Sequence, residues 1–326
     1  MSGQDDGVPF LEGESLPHNP VLYHEVLQAM QPRSGCRYVD CTLGAGGHAL
    51  GILEASSPDG LLLGLDLDPE ALKLAETRLS AFADRVILRR ASYSELLAEL
   101  DRLGWTSVDG ILLDLGLSSM QLDTAGRGFS FQADAPLDMR FDPDNEVTAA
   151  KLVNELSEAE LAELLYKYGE ERHSRKIARA IVAARPIRTT RELAEIVSSA
   201  IPRRRQRSSH GRPGIHPATL TFQALRITVN RELEALQEVL PQAVSALASG
   251  GVLVVIAYHS LEDRLVKRFF RQESRDCICP PNIPVCVCGH KAQIVRMQRK
   301  PIRPTKDEVS RNPRSRSARM RAVKKI

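Results

Sequence analysis

The stretch Asp40-Cys41-Thr42-Leu43-Gly44-Ala45-Gly46-Gly47-His48 closes an apolar run and opens a helical pattern. Glycines at a strand-to-helix turn let a ligand approach the backbone closely. Asp66 ends the next apolar run, 20 residues after Gly46. A carboxylate there can accept hydrogen bonds from both ribose hydroxyls of a nucleoside. The turn departs from G-x-G-x-x-G, because His48 follows Gly47 and no third glycine completes a phosphate-binding turn. It suits a nucleoside without a phosphate, such as S-adenosylmethionine, better than a dinucleotide. An ordinary tight turn with Asp66 as a helix cap is the competing assignment. Tyr93 follows the third apolar run, where an adenine needs a flat neighbour, and Asp114 ends the fourth. Polar groups at such strand ends face a ligand at the carboxyl edge of a parallel sheet. A core aromatic at Tyr93 and a cap at Asp114 are the structural alternatives.

Two further groups have chemical potential. Four of the six cysteines form Cys277-x-Cys279 and Cys286-x-Cys288, with His290 close by. Clustered thiols outside a secreted scaffold suggest zinc before disulfides. C-x-C is not the usual C-x2-C knuckle, however, so free thiols are the default and no metal ligand is assigned. Cys36 and Cys41 flank the first strand and are expected to be buried. His259-Ser260 invites comparison with a nucleophile pair, but adjacent strand residues point to opposite faces, which argues against a triad.

These residues need a scaffold. Apolar runs at Arg37–Cys41, Leu61–Asp66, Arg85–Arg89 and Val108–Asp114 alternate with helical spacing at Ala49–Ala55, Pro69–Ala81 and Ser94–Leu103. That rhythm predicts βαβ units and a parallel sheet. It stops after Asp114. Helical patterns then follow at Thr148–Leu156, Glu158–Tyr168, Ser174–Arg185 and Thr190–Ala200. One long helix is expected over Ala218–Leu240, a buried strand over Gly251–His259 and a helix over Leu261–Arg271. Late runs at Gln293–Gln298 and Ser317–Val323 are candidates for edge strands. The expected organisation is an unstructured N-terminus at 1–17, a discontinuous α/β domain at 18–122 and 215–326, and an all-helical insertion at 123–214 that recognises substrate.

Length and composition bound the function. The chain has 326 residues, enough for about two domains. Its 43% hydrophobic and 26% charged content exclude a disordered, collagen-like or disulfide-dense chain. No apolar stretch approaches the roughly 18 residues of a membrane span, and no signal peptide opens the sequence, so a cytoplasmic protein is expected. The net charge of +3 conceals a polarised distribution. The segment from Lys291 onward carries +11 and residues 201–216 carry +5, so the remaining body is acidic. Two basic segments on an acidic body fit a polyanion partner. With aromatics at only 5%, contact with RNA should be electrostatic, with one or two specific pockets, rather than a stacking platform.

The sequence closely resembles the bacterial small-subunit ribosomal RNA cytosine-N4 methyltransferases, the RsmH (MraW) family. The resemblance runs through nearly the whole chain. It is carried by His18-Asn19-Pro20-Val21-Leu22, Asp40 to His48, Gly64 to Asp68, Asp109 to Ser119, Gln121-Leu122-Asp123, Arg127 to Phe131 and Pro136 to Arg140. Later matches are Tyr168 to Glu171, His216 to Thr219, Thr221 to Arg226, His259 to Arg264 and Asn312 to Ser317. The resemblance implies a Rossmann-like methyltransferase fold with a helical insertion and S-adenosylmethionine as donor. It implies a cytosine in the decoding region (the P site) of 16S rRNA as acceptor, and the small ribosomal subunit as partner. Cofactor contacts carried over are Gly46, Gly47, His48, Asp66, Tyr93, Asp114 and Gln121. Some relatives carry Phe at position 93, which keeps the ring. Leu220 and Met120 stand where many relatives have Arg and Pro, so no RNA contact is carried over to Leu220.

Chemically, the exocyclic amine of cytosine is a weak nucleophile that needs in-line approach and an acceptor for its protons. Asp114 is the expected catalytic acceptor or cofactor orienter, with Ser118 and Ser119 as helpers. Phe129 and Phe131 are assigned to the core. The basic tail from Arg296 to Lys325 and the run Arg203–Arg212 are the expected phosphate contacts. A monomer or homodimer without membrane contact is expected. The rival functions are a non-catalytic nucleic-acid-binding protein on the same fold and a DNA cytosine methyltransferase.

Overall fold

The computed structural model describes residues 20–201, 216–280 and 285–326. The N-terminal segment 1–17, the run Arg203–Arg212 and the expected boundary at 214 lie outside the described residues. Helix α1 (Tyr23–Met30) precedes β1 (Arg37–Asp40), α2 (Gly47–Ala55), β2 (Leu61–Asp66), α3 (Pro69–Arg78) and β3 (Val86–Arg90). Next come α4 (Leu96–Arg102), β4 (Val108–Asp114) and the short α5 (Ser119–Asp123). Four helices follow without a strand: α6 (Ala149–Glu155), α7 (Glu158–Gly169), α8 (Ser174–Ala183) and α9 (Thr190–Ala200). The chain then forms α10 (Thr219–Asn230), α11 (Glu232–Ala246), β5 (Leu247–Ala257), α12 (Ser260–Glu273), β6 (Ile294–Arg296), α13 (Lys306–Arg311) and β7 (Arg319–Lys325).

The strands make one sheet in the order β3-β2-β1-β4-β5-β7-β6. β1 to β5 run parallel, and β7 inserts antiparallel between β5 and the edge strand β6. This is a Rossmann-like α/β fold. β5 shows why the sheet needs two helical layers. Leu253, Val255 and Ala257 join one core with α4, α11 and α12, while Val252, Val254 and Ile256 join another with α1 and α2. A strand apolar on both faces is stable only when both are covered. Each fully buried Val, Leu or Ile here contributes roughly 1.5–3 kcal/mol. The strand order reverses between β1 and β4, which opens a crevice at their carboxyl ends.

The helical segment has its own core, running from Phe129 to Val229 and including α10, which follows residue 214. Phe129 is buried in it, and Phe131 stacks on His216 and meets Phe222 edge-on. Both rings therefore seal this unit, as assigned.

The single helix expected over Ala218–Leu240 is two helices. Arg231 sits at φ 50° in the left-handed region and ends α10. Tertiary contacts override the continuous periodicity. Asn230 donates from Nδ2 to the Met139 carbonyl (2.7 Å) and accepts from the Phe141 N–H (2.7 Å). Across the break, the Arg226 guanidinium donates to both Glu232 carboxylate oxygens at 2.8 and 2.9 Å. Glu232 is buried and the Arg226 side chain is only 14% exposed, so removing one partner strands a largely desolvated charge, at a cost of about 3–5 kcal/mol. Glu232→Gln should lower unfolding free energy by about 3 kcal/mol in urea titrations. A shift of less than about 0.5 kcal/mol would show that the pair does not hold the break.

Candidate active site

The crevice is a cleft of about 1050 Å³ walled by Thr42, Gly44, Gly47, His48, Asp66, Tyr93, Asp114 and Gln121, among others. That volume is at the upper end for small-molecule sites and leaves room for a second reactant. β2, β1 and β4 are neighbours in the sheet, and each ends in an aspartate: Asp66, Asp40 and Asp114.

Asp66 accepts the Gly44 N–H at 2.8 Å and the Asp68 N–H at 2.9 Å. Burial nevertheless raises its pKa to about 6, against the pull of those donors. Asp40, behind the glycine turn, is also pushed to about 6, first by burial and further by Asp114 and Asp66. The Thr42 N–H and the nearby His48 ring act in the other direction. Asp114 Oδ1 accepts the Tyr258 hydroxyl at 2.9 Å, and the Asp114 N–H donates to Thr42 Oγ1 at 2.6 Å. Its side chain is 21% exposed, so it remains reachable from the cleft.

His48 is buried in the cleft wall and lies over Tyr23. Its Nε2 stands 3.5 Å from Asp114 Oδ2, yet neither ring nitrogen makes a hydrogen bond among the described residues. Buried polar atoms normally have partners, so this ring has unused hydrogen-bonding capacity at the cleft wall. The glycines divide the work. Gly47 lines the cleft, and a Cβ there would lie 2.6 Å from Pro20 Cγ. Gly46 does not line it. Its φ of +77° sets the start of α2, and it packs against Ala75 and Leu79. The Tyr93 ring faces the cleft while its hydroxyl donates to the Glu232 carbonyl at 3.3 Å.

Ser118 caps α5: its Oγ accepts the Gln121 N–H and Gln121 Oε1 accepts the Ser118 N–H, both at 3.2 Å. Gln121 Nε2 donates to Asp68 Oδ2 at 3.1 Å. Gln121 is therefore a buried fastener as well as a cleft wall. Ser119 opens α5. Arg127 also bonds Asp68, and its other nitrogen donates to the carbonyls of Arg140 and Phe141.

Tyr258 and Thr42 were not singled out from the sequence. Tyr258 directly follows the buried run of β5, so the strand-end reasoning applied to Asp114 would have found it. His259 and Ser260 do not pair. His259 caps α12 through Glu262, and Ser260 donates to Glu170. Part of the basic tail is internal. Arg319 and Arg321 both bond Asp263, and Lys325 Nζ donates to the Val244 carbonyl. Those three cations are already engaged, so the set expected to meet phosphate is smaller than the charge count implied.

The model of the MraW methylase family matches residues 15–326. This chain belongs to the MraW methylase family. A protein of Dehalococcoides mccartyi named ribosomal RNA small subunit methyltransferase H is 53% identical over 95% of this chain and 87% of its own length. One of the same name from Syntrophotalea carbinolica is 50% identical over 96% of this chain and 99% of its own. Among solved structures, an rRNA methylase of Streptococcus thermophilus aligns with a TM-score of 0.41 and 10% identity, covering 93% of each chain. Among the described residues no helix is long and apolar enough to cross a membrane.

A family methylase that holds a ribose on Asp66 needs that carboxylate ionised. With its pKa near 6, affinity for the donor should fall as pH falls through that value. Calorimetric titration with S-adenosylhomocysteine should give a Kd about tenfold weaker at about pH 5 than at about pH 7.5. Asp66→Asn should bind weakly and with a flatter pH profile. A wild-type Kd independent of pH would refute the assignment.

Proposed function

We propose that this chain transfers the methyl group of S-adenosylmethionine to N4 of a cytosine in the decoding region, at the P site, of 16S rRNA. The observation that carries the reading is Asp114. It ends β4 in the mouth of the cleft, is fixed by Tyr258 and Thr42, and stays reachable from the cleft. The near-full-length likeness to proteins named ribosomal RNA small subunit methyltransferase H supports the substrate class.

S-adenosylmethionine supplies an electrophilic methyl group on a sulfonium centre. In this reading Asp66 accepts its ribose hydroxyls and the Tyr93 ring flanks its adenine. Gly47 and the N–H groups opening α2 leave room and donors for its polar end. The unpartnered His48 ring meets another of its polar atoms. Gly46 and Gln121 support this pocket by setting the turn and closing α5 over it. The aspartates at the strand ends complement the positive sulfonium.

The cytosine must leave its stack to enter. Asp114 then accepts an N4 proton, which localises the lone pair and stabilises the charge that grows as nitrogen attacks. No strong base is needed, because the amine can lose its proton late. Ser118 lines the cleft, and in this reading its hydroxyl donates to the base, with Ser119, next in the chain, as a second helper. Other cations of the tail and those of the run Arg203–Arg212 serve as phosphate contacts.

Tritiated methyl transfer to purified small subunits lacking the modification tests this. Asp114→Asn should lower kcat by at least about 100-fold. Wild-type rates from Asp114→Asn would refute its role. No transfer by the wild-type chain would favour the binding-protein reading, and labelling of DNA in competition would favour the DNA enzyme. Subunit binding should also weaken by at least about tenfold between about 0.05 and 0.2 M salt.

A further inference from the structure

The loop joining α12 to β6 carries Cys277, Cys279, Cys286 and Cys288. Their four Sγ atoms all lie within 4.8 Å of one another. Cys286 and Cys288 Sγ are 3.5 Å apart, and Cys288 and Cys277 Sγ 3.9 Å. A disulfide would need about 2.05 Å. A tetrahedral zinc with bonds of about 2.3 Å places its sulfurs about 3.8 Å apart. The arrangement has the size of a single-metal sphere and is too tight for a two-iron cluster.

Hydrophobic burial does not gather these thiols. Among the described residues, the large apolar side chains between them are exposed: Ile278 42%, Val285 70% and Val287 77%. The described residues around the four cysteines therefore need a reason other than a core to bring their thiols together. The backbone supplies the features of a thiolate knuckle. Gly289 follows Cys288 in the left-handed region at φ +63°. That turn lets the His290 N–H donate to Cys288 Sγ; the Ile278 N–H of the first motif donates to the same sulfur, and the Cys279 N–H donates to Cys277 Sγ. His290 itself lies outside the set and faces Glu273 at 3.8 Å.

We propose that Cys277, Cys279, Cys286 and Cys288 form a closed structural zinc site that pins the loop between α12 and β6. Four protein ligands leave no position for a reactant, and none of the four lines the cleft. The site is thus structural rather than catalytic. Binding exchanges the protons of the ligand thiols for the metal without change of oxidation state. The sequence default of free thiols rested on the C-x-C spacing. The two motifs instead contribute one half-sphere each, which spacing within either motif does not disclose.

The test uses the full chain, expressed with zinc supplementation and purified without chelator. Elemental mass spectrometry should find about one zinc per chain, and cobalt exchanged into the site should show thiolate charge-transfer and tetrahedral d–d bands. Joint replacement Cys286→Ser and Cys288→Ser should abolish both signals while methyl transfer stays within about twofold of wild type. Less than about 0.1 zinc per wild-type chain after reconstitution would overturn the proposal. So would iron as the bound metal, or disulfides among these cysteines in protein alkylated at lysis.

Discussion

Three carboxylates at the ends of adjacent parallel strands set the terms for this structure. Asp66, Asp40 and Asp114 crowd the carboxyl edge of β2, β1 and β4, and burial makes the ionised forms of Asp66 and Asp40 expensive. The fold offsets that cost locally. Gly44 and Asp68 donate to Asp66, Thr42 donates to Asp40, and Tyr258 donates to Asp114. These donors come from the glycine turn, the β2–α3 connection and the end of β5, so the strand ends are tied to one another through the acids. What remains is a partly desolvated cleft with acids at its strand ends, which suits the proposed cationic, phosphate-free donor. Groups with displaced pKa values cluster where a protein does chemistry, and here the displacement follows from strand topology.

The helical unit is fastened to this edge through few residues. Asp68 caps α3 and also accepts from Gln121 and Arg127. Arg127 in turn holds the carbonyls of Arg140 and Phe141. Arg90 at the end of β3 reaches Asp142 and Asp144, each at 2.6 Å. On the other side, Arg226 of α10 pairs with Glu232 at the break before α11. The cleft wall at α5 and the helical unit therefore share hydrogen bonds. Movement of the helical unit would be felt at α5 and Gln121, which makes the two sides of the cleft mechanically dependent.

The strands were legible because buried β-runs bounded by acids and glycines have no competing reading: Leu61–Asp66 and Val108–Asp114 agree to the residue. The late runs were legible as strands, though β7 lies inside the sheet rather than at its edge. The break at Arg231 was not legible, since both halves bury an apolar face and only partners far away in sequence impose it. Among site residues, the glycine turn, Asp66 and Asp114 followed from position at strand ends. Gly46 was expected in the cleft but supports it from behind, because its positive φ and its contact with Ala75 and Leu79 are three-dimensional facts. The pairing of Arg319 and Arg321 with Asp263 was equally invisible to a charge count, which treats every cation as free.

The account rests on a methyl group reaching one exocyclic amine through a cleft built from those strand ends. The most direct measurement is a mass-spectrometric map of modified nucleosides in small-subunit rRNA from cells that lack this chain, and from the same cells supplied with it. The account predicts that one decoding-region cytosine loses its N4-methyl group without the chain and regains it with the chain. An unchanged map, or a methyl group restored on a ring carbon, a ribose or another base, would contradict it.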